Sequence, residues 1–364
     1  MSRRVLLMSC LLSWCAPGLA AEPVRNVVLV TLDGVRVQEM FGGADIAVMK
    51  DLARGAPLEG NKTYQRYWAP SAEERRMKVM PFLWGTLLKQ HAWIAGDPAK
   101  NSHVEVTNRF HTSYPGYAEI LTGRAHDDVI IDNKEQRIPV PTVLEFARRE
   151  LKLHQSAVAA FSSWDLTNSF AEHEPGTITV NAGFSPYATK DAGLRALSEA
   201  QGEMVAWDGS RFDYITERFA LDYLKREHPR LTYVLLGDTD ELAHDGRYEL
   251  LLQSLQHADR FLEQLWMQLQ ASPQYRDNTV LIVSADHGRG KTPEYWGSHN
   301  EELEAAKNIW LVVAAPGDAR RGEIEGGPTL YQNQIAATIA LALGLDFNQR
   351  YSEAGKPIAL HGTP

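Results

Sequence analysis

The sequence predicts an α/β fold with a mainly parallel central sheet. Short runs of β-branched and aliphatic residues occupy 26–32, 231–236 and 279–284. Such runs are typical of strands that are buried on both faces of a sheet. Between the runs lie segments in which apolar residues recur at helical spacing, such as 214–226 and 247–269. This alternation of strand and helix indicates helices packed on a parallel sheet.

The first twenty residues have the pattern of a secretory signal peptide. Arg3 and Arg4 precede an apolar run over 5–14, and small residues lead to Ala20. We expect cleavage after Ala20 and export of the chain, either to the periplasm or out of the cell. The apolar run is too short to span a bilayer, and the rest of the sequence offers no longer one.

Composition predicts one globular domain over residues 21–364 and excludes several kinds of function. Both cysteines, Cys10 and Cys15, fall inside the predicted signal peptide, so the mature chain offers no disulfide and no thiolate ligand. The formal net charge is −9 and no run of basic residues occurs. An acidic chain of this kind is not expected to carry a nucleic-acid-binding surface.

Acidic residues and histidines follow three of the predicted strands. Because the carboxyl ends of parallel strands share one edge of a sheet, these side chains are expected to meet there. The set contains six residues with oxygen or nitrogen ligand atoms: Asp33, Asp240, His244, Asp286, His287 and His299. Such a set suits two divalent cations, with zinc favoured by the three imidazoles and manganese as the alternative. An aspartate before a glycine is also a common turn, which is the plainer explanation for each motif alone.

A candidate nucleophile lies in the segment 110–123. Pro115 suits the first turn of a helix, which places Ser113 at the helix N-terminus beside free backbone N–H groups. Two metal ions about 4 Å apart can hold the attacking and leaving oxygens of a displacement, with the Ser113 hydroxyl deprotonated by coordination. The neighbouring Thr112 is an alternative nucleophile, and an N-cap without chemistry is the commoner use of such residues.

The remaining segments complete the predicted fold. A helix over 141–150 leads to a strand over 156–161, and a further strand is expected over 308–314. A closing helix is expected over 335–345. The polar segment 165–212 is interrupted by glycine and proline, and it predicts loops or a small cap or lid over the site.

The ordered set of motifs resembles the alkaline phosphatase superfamily, nearest to its nucleotide pyrophosphatase/phosphodiesterase branch and its Thr/Ser-nucleophile phosphatase branch. The resemblance spans roughly residues 26–345. It rests on Asp33, on Ser113-Tyr114-Pro115 with Thr122-Gly123, on Asn133, on Asp240 with His244, on Asp286-His287-Gly288 and on His299.

The resemblance implies a three-layer sandwich and a hydrolase of small phosphate monoesters or diesters. It implies that Ser113 forms a phospho-enzyme, while Asn133 and the Tyr114 N–H hold the non-bridging oxygens. It assigns one metal to Asp240, His244 and His299, and the other to Asp33, Ser113, Asp286 and His287.

The same motifs occur with other functions. A phosphomutase-like member is suggested by the short spacing between His287 and His299. A sulfatase-like member is disfavoured, because Tyr117 stands where sulfatases of the superfamily have arginine. A non-catalytic protein that binds metal or phosphate is disfavoured by the complete ligand set. Asp238 competes with Asp240, but only Asp240 is four residues before His244.

Overall fold

The computed structural model describes residues 26–361. The predicted signal peptide, residues 1–20 with both cysteines, lies outside the described residues and stays a prediction. Within residues 26–361, none of the helices combines the length and the apolar character that a membrane span requires.

The strands of the described chain form a large sheet and a small one. They are β1 Asn26–Leu32, β2 Trp93–Ala95, β3 Val104–Glu105, β4 Val158–Ser162, β5 Thr179–Ala182, β6 Leu231–Leu236, β7 Thr279–Ser284, β8 Asn308–Ile309, β9 Leu311–Ala314, β10 Gly322–Glu323 and β11 Leu330–Tyr331. Every residue of β1, β6 and β7 is buried, as their continuous apolar runs predicted.

Eight of these strands form the large sheet in the order β10-β2-β9-β7-β1-β6-β4-β5, and the small sheet has the order β11-β3-β8. In the large sheet β7, β1, β6, β4 and β5 are parallel, whereas β9 runs antiparallel to both of its neighbours. The prediction of a mainly parallel sheet is therefore confirmed. At its centre β6, β1 and β7 lie side by side, so their carboxyl ends meet.

Helices form a layer on each face of the large sheet. They are α1 Val37–Gly42, α2 Ile46–Leu52, α3 Lys62–Tyr67, α4 Ala72–Val79, α5 Leu88–Gln90, α6 Ser113–Thr122, α7 Val143–Glu150, α8 Thr167–Phe170, α9 Ala192–Ala200, α10 Asp213–Glu227, α11 Asp238–His244, α12 Tyr248–Ala271, α13 Ile335–Ala342 and α14 Phe347–Arg350. Helices α6, α7 and α13 pack together in one layer, and α10 packs with α12 in the other. This is the predicted three-layer sandwich.

The structure differs from the predictions in three segments. The expected strand 308–314 is two strands, β8 and β9, which belong to different sheets. Trp310 separates them, because its side chain is fully buried and its Nε1 donates to the Val35 carbonyl at 3.0 Å. The helix expected over 335–345 ends at Ala342, and α14 follows it. The segment 165–212 contains α8, α9 and the edge strand β5 besides loops; its role as a lid stays a prediction.

Candidate active site

The carboxyl ends of β6, β1 and β7 bring the predicted acidic residues together. Asp33 follows β1, Asp286 follows β7, and Asp240 lies in α11 just after β6. The three strands are hydrogen-bonded neighbours in parallel register. The chain therefore places three carboxylates on one edge of the sheet, although they are up to 253 positions apart in the sequence.

In two of these carboxylates, one oxygen accepts a hydrogen bond and the other is buried without a partner. Asp33 Oδ2 accepts a hydrogen bond from the Tyr117 hydroxyl at 2.8 Å, and Asp286 Oδ1 accepts one from the Gly34 N–H at 3.0 Å. Among the described residues, Asp33 Oδ1 and Asp286 Oδ2 are buried and have no hydrogen-bond partner. Unsatisfied buried carboxylate oxygens are costly unless a cation compensates them, so they fit a metal site.

One group of ligand atoms surrounds the imidazole of His287. Its Nε2 lies 3.5 Å from Asp33 Oδ1, 3.3 Å from Asp286 Oδ2 and 3.3 Å from Ser113 Oγ. The other ring nitrogen, Nδ1, lies 2.9 Å from the Gly288 carbonyl. An N–H that donates to a carbonyl at Nδ1 leaves Nε2 unprotonated and available to a metal.

A second group lies beside it. His244 Nε2 is 3.1 Å from Asp240 Oδ2 and 2.9 Å from His299 Nε2. His299 Nδ1 lies 2.9 Å from the His111 carbonyl, which orients its ring in the same way. His287 also belongs geometrically to this group, because its Nε2 is 3.8 Å from Asp240 Oδ1. The structure thus brings all six predicted ligands into two adjoining groups.

Electrostatics in the two groups favour bound cations. Burial and the adjacent Asp286 carboxylate raise the pKa of Asp33, and burial raises the pKa of Asp286 to about 7. Burial lowers the pKa of His244, His287 and His299, so these imidazoles are neutral at pH 7. Neutral imidazoles are metal ligands, and divalent cations remove the repulsion that holds protons on crowded carboxylates.

Helix α6 presents Ser113 to this centre as its first residue. All ten residues of the helix are buried, and Pro115 occupies its first turn as predicted. Gly116 allows the approach, because a Cβ at that position would lie 2.5 Å from the Asp286 carbonyl oxygen. Thr112 precedes the helix, and its buried Oγ1 has no partner among the described residues, whereas Ser113 Oγ contacts His287. The geometry favours Ser113 over Thr112.

The structure joins the two groups that were predicted to hold the non-bridging oxygens. The Tyr114 N–H donates to Asn133 Oδ1 at 2.9 Å. The exposed Asn133 side chain lies over the N-terminus of α6, where backbone N–H groups lack intrahelical partners. With its carbonyl fixed in this way, the Asn133 amide nitrogen remains as the donor.

Asp238 and Asp240 have different partners in the structure. Asp240 lies in the ligand group, whereas Asp238 Oδ1 accepts a hydrogen bond from the Asp213 N–H at 3.0 Å. In return, Asp213 Oδ2 accepts from the Asp238 N–H at 3.0 Å. Asp213 and Asp238 therefore join the starts of α10 and α11, and Asp240 stays the predicted metal ligand.

Sequence reasoning missed three residues that support the site. Arg289 donates to Asp240 Oδ1, and Tyr117 orients Asp33. Glu119, fully buried in α6, accepts hydrogen bonds from the backbone and side chains of Thr107 and Asn108 at 2.8–3.0 Å. Only Arg289 carried a local signal, since it directly follows the Asp-His-Gly motif.

The fold is that of the alkaline phosphatase superfamily, a class that contains phosphoesterases and sulfatase-like enzymes. More narrowly, the chain belongs to the type I phosphodiesterase / nucleotide pyrophosphatase family, whose model matches residues 59–337. No curated protein sequence matches the chain.

Solved structures of the superfamily share the fold. The lipoteichoic acid synthase LtaP from Listeria monocytogenes is 12% identical with a TM-score of 0.55, and the match covers 93% of this chain and 74% of that one. A mutant of the alkaline phosphatase PafA is 11% identical with a TM-score of 0.54, over 93% and 99% of the chains. A phosphonate monoester hydrolase from Silicibacter pomeroyi is 14% identical with a TM-score of 0.51, over 88% and 74%. At these identities the likeness establishes the fold.

Proposed function

We propose that this protein hydrolyses phosphate esters of small molecules, with Ser113 as the nucleophile. One observation carries the proposal: Ser113 Oγ lies 3.3 Å from His287 Nε2, at the point where the two ligand groups adjoin. Ser113 is the first residue of a buried helix, so the positive end of the helix dipole faces an anion that approaches its hydroxyl.

The residues fit two divalent cations, which we propose to be zinc, with manganese as the alternative. One would be held by Asp33, Asp286, His287 and Ser113, and the other by Asp240, His244 and His299. When bound, such cations lower the pKa of a coordinated hydroxyl and neutralise the charge that develops on a transferring phosphoryl group.

The protein's own groups define the remaining chemistry. The Ser113 Oγ forms a bond to phosphorus while the bond from phosphorus to the leaving oxygen breaks; the Ser113 hydroxyl proton passes to solvent, and the leaving oxygen takes a proton from solvent and departs as an alcohol. Water then displaces Ser113 Oγ from phosphorus and gives up a proton, Ser113 Oγ regains one, and phosphate or a phosphate monoester is released. The Asn133 amide nitrogen, held in place by the Tyr114 N–H, donates to a non-bridging oxygen as charge builds up.

The family description favours a diester as the first substrate to test. Purified protein with zinc would be assayed on a nitrophenyl phosphate monoester, a bis-nitrophenyl phosphate diester and a nitrophenyl sulfate under one set of conditions. We expect preferential turnover of a phosphate ester. Ser113→Ala should lower the rate by at least about a thousandfold, since loss of a nucleophile removes the covalent route.

Thr112→Ala is the matched control, because it removes a neighbouring hydroxyl that has no hydrogen-bond partner among the described residues. We expect it to retain most of the activity. Full activity in Ser113→Ala, or its loss in Thr112→Ala alone, would contradict the assignment of the nucleophile. Turnover mainly of the sulfate would contradict the proposed reaction.

We also propose that residues 1–20 direct export of the protein. Arg3 and Arg4, the short apolar run over 5–14 and the small residues before position 21 support this proposal. Expression of the full sequence should yield a mature form that begins at Ala21, as measured by mass spectrometry of the exported fraction. A mature protein that still carries residues 1–20 would contradict it.

A further inference from the structure

Arg289 lies behind the candidate metal centre, on the side away from solvent. Its side chain is 1% exposed, and its Nη2 donates to Asp240 Oδ1. Nε donates to the Gly34 carbonyl at 3.1 Å and Nη1 to the Gly297 carbonyl at 2.6 Å. A guanidinium that is fixed by three segments of the chain cannot swing away when a cation binds beside it.

This arrangement makes the two ligand groups electrically different. Asp33 and Asp286 each receive a hydrogen bond from a neutral donor. The Arg289 charge also acts on Asp33, but within the described chain Arg289 forms its ion pair with Asp240. Asp240 is the only carboxylate of the other group, and it shares its charge with Arg289. A second buried arginine, Arg36, forms ion pairs with Glu39 and Asp45. Its charge is therefore compensated and adds no comparable difference between the two ligand groups.

We infer that Arg289 is a positioning residue that makes the cation position of Asp240, His244 and His299 the weaker of the two. This inference rests on the proposed function, because it assumes that both groups bind metal. A fixed positive charge beside a ligand repels a bound cation, and in a buried site that repulsion is poorly screened. The deeper position of Asp33, Asp286 and His287 therefore fills first and the outer position exchanges more readily.

Zinc titration of the metal-free protein by isothermal calorimetry tests the order of filling. We expect two classes of site whose dissociation constants differ by at least tenfold. His244→Ala should abolish the weaker class and leave the tighter class in place, because the His244 side chain is 46% exposed and belongs only to the outer group. Asp33→Asn should abolish the tighter class.

Variants at Arg289 test the cause. Arg289→Gln removes the charge and keeps a hydrogen-bond donor for Asp240, and it should tighten the weaker class about tenfold or more, because the repulsion between two nearby positive charges is removed. Arg289→Lys keeps the charge and should leave that class weak. Arg211→Gln is the matched control for loss of a buried arginine, since Arg211 is also 1% exposed but contacts Asn181 and Thr216 instead.

The possible results separate the inference from the function on which it rests. Two sites of equal zinc affinity would overturn the inference and still leave a two-metal enzyme. The same holds if Asp33→Asn abolishes the weaker site and keeps the tighter one. Weaker binding in Arg289→Gln would likewise overturn it, because Arg289 would then help the cation. Absence of zinc binding by the wild-type protein would contradict the proposed metal centre, and the inference with it.

Circular dichroism of each variant tests whether it is folded. The wild-type and His244→Ala titrations decide the order of filling without any Arg289 variant.

Discussion

The substitution Glu119→Gln tests how the fold holds the loop before the nucleophile. Glu119 is fully buried, and its two oxygens accept five hydrogen bonds from four donors on Thr107 and Asn108. A glutamine places an NH₂ group among these donors, so at least two hydrogen bonds to a charged acceptor are lost. Each is worth about 1.5–3 kcal/mol. Because a neutral amide is less costly to bury than a carboxylate, we expect a net loss of about 3 kcal/mol.

The same substitution should also affect the candidate site. Asn108 Oδ1 accepts a hydrogen bond from the His111 N–H at 3.0 Å, and the His111 carbonyl orients His299. Loosening Asn108 is therefore expected to reduce zinc affinity at the outer position as well as the free energy of unfolding.

Urea unfolding at pH 7 measures the first effect, and calorimetric zinc titration measures the second. The control is Glu353→Gln, whose side chain is 56% exposed and lies 3.8 Å from Arg124. An exposed ion pair of this kind contributes under about 1 kcal/mol. A change in the free energy of unfolding of Glu119→Gln no larger than that of this control would refute the role assigned to Glu119.

Three further predictions follow from individual contacts. Tyr117→Phe removes the hydroxyl that holds Asp33, so zinc affinity should fall about 10- to 100-fold with little change in stability. Asp240→Asn should lose one equivalent of zinc in a titration, whereas Asp238→Asn should keep both equivalents and unfold at lower urea concentration. Burial raises the pKa of Glu217 from 4.5 to about 8, so the folded state holds a proton that the unfolded state releases. Stability should therefore fall as the pH rises from about 4.5 to 8, by at most about 4 kcal/mol, and Glu217→Gln should flatten that dependence in urea unfolding.

Each of these predictions has a contrary result. Unchanged zinc affinity in Tyr117→Phe would show that the hydroxyl does not hold Asp33 for a metal. If Asp238→Asn loses an equivalent of zinc and Asp240→Asn keeps both, Asp238 and not Asp240 is the metal ligand. A Glu217→Gln variant whose stability follows the wild-type curve from pH 5 to 8 would show that this carboxyl does not bind a proton there.

The central strands and the residues at their ends could be predicted because their signals are local. A continuous apolar run gives a buried strand, and an acidic residue before a glycine marks where it ends. Parallel pairing then places Asp33, Asp240 and Asp286 on one edge, so the ligand groups follow from three short segments and the rule that governs strand ends.

The supporting contacts could not be predicted, because their partners are distant in the chain and have no pattern of their own. Tyr117 meets Asp33 across 84 positions, and Arg289 meets Asp240 across 49. The division of 308–314 into two strands depends on the buried Trp310, whose apolar character fits a strand equally well. The Tyr114 N–H donates to the side-chain carbonyl of Asn133. From the sequence alone, this asparagine could not be distinguished from one whose amide faces a ligand.

Helix α6 limits how the gene for this protein can change in length. Its ten buried residues carry the hydroxyl of Ser113, the phenol of Tyr117 and the carboxylate of Glu119, each directed to a different partner. One inserted residue rotates everything beyond it by about 100° and advances it by about 1.5 Å. An insertion or deletion between Ser113 and Glu119 would separate at least one of these groups from its partner, so length variation among functional relatives is expected in the surface loops and not in this part of the helix.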